Sequence, residues 1–161
     1  MILRLLRRVV DGLVVVVFGY MVLAVVAQVA GRYLPGVALG NAVESATFAQ
    51  IWLTTLGAGL ALRTGAIFSL DTVTRHLSLG PARAFSLVIA AISLGFVAVM
   101  VYGGILLTMQ GTGQRSPVLL IPMWTIFISI PVGMTLLGIE IVVRVIERWN
   151  APFAAIDEEL A

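Results

Sequence analysis

Cysteine and lysine are both absent from the 161 residues, and histidine occurs once, at His76. Without a thiol the chain can form no disulfide, no thiolate zinc site and no cysteine nucleophile. A single imidazole cannot build a bis-His haem site or a His-rich metal cluster within the chain. Charge is scarce as well. Only 11% of residues are charged, and a formal net charge of +2 is too small and too scattered for a nucleic-acid surface. No Gly-rich phosphate loop, Ser/His/Asp set or metal-spaced acidic cluster is present, which argues against an enzyme. Apolar side chains dominate instead: 60% of residues are hydrophobic and the mean hydropathy is +1.09, well outside the range of soluble domains. The composition is that of an all-α integral membrane protein.

A helix needs about 20 mostly apolar residues to cross the hydrocarbon core. Intervals between charged side chains give four such spans, at about 12–31, 45–62, 84–109 and 122–143, and the chain is read as a single membrane domain over 1–161. Pro122 suits the first turn of the fourth. Arg4, Arg7, Arg8, Arg63, Arg75, Arg83, Arg144 and Arg148 collect on one face of this arrangement, and only Arg32 and Arg115 on the other. The positive-inside rule then predicts that both termini are cytoplasmic. RLLRR followed by an apolar run and AQVA has the outline of a secretory signal, but the run is longer than an ordinary signal core and is read as a span. The acidic DEE near the C-terminus is read as a solvated tail.

Between spans two and three lies SLDTVTRHLSLG. Leu70, Val73 and Leu77 recur at i, i+3 and i+7, which predicts a short amphipathic interfacial helix over about 70–79. Ser69 or Asp71 would cap its start and Gly80–Pro81 would stop it. Arg75 and Arg83 would meet anionic headgroups, and His76 would be solvated outside the spans.

Charged residues within a membrane are functional candidates by default. Here Glu44, Arg63, Glu140 and Arg144 all fall near span ends, where snorkelling and headgroup water lower the cost. The expected pairs are Arg32 with Glu44, joining spans one and two, and Glu140 with Arg144 at i and i+4. Gln28, Gln50, Thr54, Thr55, Ser93, Thr108, Ser129 and Thr135 lie deeper and are expected to hydrogen-bond across helices. Gly57 and Gly59 on span two and Gly133 and Gly138 on span four offer surfaces for close helix approach. Pro131 lacks the N–H that would reach the carbonyl of Phe127 and is expected to bend span four.

The order of these features resembles a known family. A basic N-terminus, Arg32 closing span one, Glu44 opening span two, Trp52, LGAGLALR, GAIFSLD, SPVLLIPMW and IPVG together are similar to the small membrane subunit of tripartite ATP-independent periplasmic (TRAP) transporters, the DctQ-like family. The likeness covers nearly the whole chain. It implies a non-catalytic subunit in the bacterial inner membrane, packed on the static scaffold of a large, sodium-coupled, elevator-type membrane subunit. A periplasmic solute-binding protein would deliver an organic acid or similar solute, and no cofactor would reside in this chain. The residues carrying the pattern are Arg32, Glu44, Trp52, Gly57, Arg63, Asp71, Pro122, Pro131 and Gly133. Asn41 and Ile67 depart from it, standing where relatives often have Trp and His. The alternatives are the small subunit of a tripartite tricarboxylate transporter, a four-helix anchor of a respiratory enzyme, and an autonomous exporter with Glu44 as its proton-coupled acid.

Overall fold

A computed structural model describes residues 2–33, 40–64, 79–147 and 149. Its elements are α1 (Ile2–Tyr33), α2 (Gly40–Arg63), α3 (Leu79–Gly111), α4 (Trp124–Phe127) and α5 (Ser129–Glu147). Four helical segments are long and apolar enough to cross a membrane: Leu3–Gly31, Asn41–Arg63, Arg83–Gly111 and Trp124–Glu147. The described residues contain no β-strand beyond one isolated bridge.

Both α1 and α3 outrun the expected spans. The RLLRR segment is helical because Leu and Arg are good helix formers, and α1 begins at Ile2 rather than near residue 12. Its 32 residues amount to about 48 Å, against about 30 Å of hydrocarbon, so one end passes beyond the apolar layer. Gly80 and Pro81 fall at the start of α3. Both residues lie in the first turn of α3, where a missing N–H costs nothing because that donor has no intrahelical acceptor. Residues 70–78 of the expected interfacial helix, including Leu70, Asp71, Val73, Arg75 and Leu77, lie outside the described residues.

The fourth span starts at Trp124, two residues after Pro122, and its helical pattern is interrupted at Ile128. The interruption sits next to Phe127, whose carbonyl Pro131 cannot engage. Ile128 keeps φ −62° and ψ −20°, close to 3₁₀ values, and Val132 N–H still donates to its carbonyl at 3.2 Å. The proline therefore tightens the turn locally and leaves the chain running on.

Packing follows the order α1, α2, α5, α3: α1 lies on α2, α2 on α5, and α5 on α3. The helices form a row rather than a closed bundle. α1 and α3 are its flanks, and only 6% and 11% of their most apolar windows are buried, against 28% for α2 and 22% for the α4–α5 span. The starts of α1 and α3 and the ends of α2 and α5 share one end of the row, because Arg7 meets Glu140, Arg63 meets Asp11 and Arg83 meets Trp149. Thus α2 and α5 run parallel in the middle, each with an antiparallel neighbour outside.

Candidate functional site

The central contact is a close approach of two backbones. A Cβ built on Gly133 would stand 2.5 Å from the carbonyl oxygen of Thr55, so only glycine lets α5 come this near α2. One turn on, Gly59 faces the backbone of Leu137 at 3.7 Å. Across the other seam, Gly138 meets Val97 of α3, and Gly104 of α3 meets the ring of Pro131. Gly57 meets no helix of this chain: nothing lies within 4 Å of a Cβ built there. Two residues apart on a helix is a rotation of about 200°, so Gly57 and Gly59 cannot share one surface. Gly59 faces inward and Gly57 outward.

The deep hydroxyls also differ from expectation. Thr54, Thr55, Thr108 and Thr135 donate to carbonyls three or four residues back on their own helices, and Ser129 donates to Ile126 O at 2.6 Å. A hydroxyl on a short stem reaches its own preceding turn more easily than a neighbouring helix.

At the end of the row holding the first residues of α1, charges tie three helices together. Arg7 donates Nε and Nη2 to the two carboxylate oxygens of Glu140 at 2.9 and 2.7 Å, the bidentate geometry of a strong pair. Its Nη1 also lies 4.0 Å from Glu147. Arg63 at the end of α2 bridges to Asp11 of α1. Arg144 donates to the carbonyl of Leu62 at 2.6 Å, filling an acceptor that the end of α2 leaves open. The expected Glu140–Arg144 pair is therefore replaced: the carboxylate serves α1 and the guanidinium serves α2. On the flank, Arg83 donates to Trp149 O at 3.0 Å and sits 5.4 Å from the indole centroid.

At the opposite end, one oxygen of Glu44 accepts the consecutive N–H groups of Val118 and Leu119 at 3.2 and 2.6 Å. These belong to the connection between α3 and α4. That connection closes on itself through Ser116 N–H to Ile121 O, Met123 N–H to Gln114 O, and a bridge of Arg115 with Pro122. Leu120 adopts φ 56°, a conformation that costs a non-glycine residue about 1–2 kcal/mol and so needs outside support. Glu44 and the Arg115 guanidinium, which reaches Leu120 O at 3.3 Å, give it. The side chain of Arg32, the partner expected for Glu44, lies outside the described side chains. Trp52 lines an apolar groove with Tyr20, Phe48, Leu119 and Ile121, beneath the same connection.

Sequence reasoning named Glu44, Arg63, Gly59, Gly133 and Pro131 but passed over Arg7, Asp11 and the Val118–Leu119 amides. Arg7 and Asp11 stand at i and i+4 on the face that meets α2, a spacing visible in the sequence once α1 is extended back through them. Among the described residues no three His, Asp or Glu side chains gather as a metal site.

Residues 21–151 match the family model described as the DctQ component of tripartite ATP-independent periplasmic transporters. The chain belongs to the DctQ family. A curated relative, the C4-dicarboxylate TRAP transporter small permease protein DctQ of Rhodobacter capsulatus, is 29% identical over 108 residues. That alignment covers 65% of this chain and 47% of the relative, so the chain spans about half the length of the DctQ protein it matches. No solved structure matches the chain.

Proposed function

We propose that this chain is the non-catalytic small subunit of a sodium-coupled TRAP-type transporter. It lies in the bacterial inner membrane with its Arg-rich end and both termini in the cytoplasm, packed on the static scaffold of the large membrane subunit. That subunit binds sodium and carries the solute, which a periplasmic solute-binding protein delivers. The name of the Rhodobacter capsulatus relative makes a C4-dicarboxylate the first solute to test. Leu70, Val73 and Leu77, with Asp71 as cap and Arg75 toward headgroups, form an interfacial helix in this reading.

The observation that carries the reading beyond family membership is the placement of charge. No Asp, Glu, Arg or His occurs within 12–31, 45–62, 84–109 or 122–139, and the charged side chains at the span ends tie helices to one another. A carrier needs a titrating or ion-binding group within the membrane; a scaffold needs fixed ends. The test is purification of the chain with and without a co-expressed large membrane subunit, followed by uptake in liposomes. Uptake should require both membrane subunits and the binding protein. Solute transport by this chain alone would overturn the proposal.

A further inference from the structure

The spans are not equally apolar. The most apolar window of α2 has mean hydropathy 1.2, against 2.6 for α1, 2.6 for α3 and 2.2 for the α4–α5 span. A helix in the middle of the row has two neighbours to receive its polar side chains, yet α2 turns Thr47, Gln50 and Thr54 away from both. Its buried residues are Ala46, Ala49, Thr55, Leu56 and Gly59, while Thr47, Gln50 and Thr54 are exposed. These three recur at i, i+3 and i+7, a single stripe on a helix turning 100° per residue, and Gly57 continues it into open space.

The threonine hydroxyls are satisfied within the helix, Thr47 by Val43 O at 3.0 Å and Thr54 by Gln50 O at 2.8 Å. The Gln50 side-chain amide has no such outlet and engages no other group among the described residues. It stands nine residues into the span that starts at Asn41, about 14 Å along the axis and so inside the hydrocarbon layer. Acyl chains offer an amide neither donor nor acceptor, so lipid is the wrong neighbour for this face. The outward faces of α1 and α3, built of residues such as Val15, Leu23, Ile92 and Val99, are of the kind lipid does cover.

We propose that the Thr47–Gln50–Thr54–Gly57 face of α2 receives a transmembrane helix of the large membrane subunit, with Gln50 hydrogen-bonded to a polar group on that helix and Gly57 admitting close approach. This rests on the subunit reading above. The test places a photo-reactive residue at Thr47, Gln50 or Thr54, one at a time, in the complete transporter in native membranes. Each position should yield an adduct with the mass of this chain plus the large subunit. Gln50→Leu should leave the chain folded and weaken its co-purification with the large subunit about threefold to tenfold, the range of interhelical side-chain hydrogen bonds in bilayers, with Gln50→Asn less affected. Adducts with lipid alone, or with a second copy of this chain, in a complex that still co-purifies would overturn the docking face and leave the subunit reading standing. Failure of the unmodified chain to co-purify with the large subunit would overturn both.

Discussion

Arg7 of α1 reaches over α2 to hold Glu140 of α5 through two guanidinium nitrogens. The two helices are not packing neighbours in the row, and the bridge passes where α2 has least bulk: a Cβ built on Gly59 would lie 3.8 Å from Glu140 Cγ. With side-chain exposures of 21% and 13%, the pair is shielded enough to matter and open enough to avoid the full cost of desolvation.

Removing one partner therefore leaves the other half-buried and unmatched. Arg7→Gln and Glu140→Ala should each destabilise the chain by about 1–3 kcal/mol, and the double variant by less than the sum, with a coupling of about 0.5–3 kcal/mol. Thermal unfolding in nanodiscs, run as a double-mutant cycle, reads this directly. Strict additivity would mean that the bridge does not form.

The three glycines of the α2–α5 region should rank in a fixed order. Gly133→Ala drives a methyl into the Thr55 carbonyl and should cost about 1–3 kcal/mol as overpacking. Gly59→Ala meets only ordinary contacts at 3.7 and 3.8 Å, so it should not destabilise and keeps part of the helix-propensity gain, while Gly59→Leu should break the Arg7–Glu140 crossing. Gly57→Ala enters open space and should stabilise the isolated chain by up to about 1 kcal/mol through helix propensity. Melting temperatures of the isolated chain test the order, and a loss at Gly57 equal to that at Gly133 would contradict this packing.

Glu44 holds two backbone donors of the α3–α4 connection and should control that connection more than the helices. Glu44→Leu should cost about 1.5–3 kcal/mol locally, the usual value of hydrogen bonds to a charged group. Hydrogen exchange should quicken at Val118 and Leu119 while the amides of α2 and α5 keep their protection. Uniform loss of protection would show that the carboxylate supports the whole row.

The four candidate spans among the described residues and their approximate positions were legible in the sequence, because a membrane span is a composition signal about 20 residues long. It also showed that charges avoid the span centres. It did not show which charges meet. Glu140 and Arg144 have the spacing of a helical pair, but each finds a partner on another helix because the end of α2 lies between α1 and α5 and presents an open carbonyl at Leu62. Nor did it separate Gly57 from Gly59, since their opposite directions acquire meaning only when the neighbours of α2 are known. The Val118 and Leu119 donors left no side-chain signal: they are backbone groups, aimed at Glu44 by a turn whose unusual residue is Leu120 rather than a glycine.

Arg144 supplies the last test, because its guanidinium acts on backbone that belongs to another helix. The carbonyl of Leu62 is one of the four that α2 cannot satisfy internally, and a cation there also favours the negative end of the helix dipole. Arg144→Gln should remove about 0.3–2 kcal/mol from the last turn of α2. The loss should read out as faster exchange of the Thr64 amide, which donates to Leu60 O at 2.9 Å, with Arg7–Glu140 coupling preserved. Arg144→Lys should recover part of the effect, since a cation remains near the helix end. If the glutamine variant instead weakens the Arg7–Glu140 coupling as much as it frays α2, the end of the row acts as one charge network rather than as separable pairs.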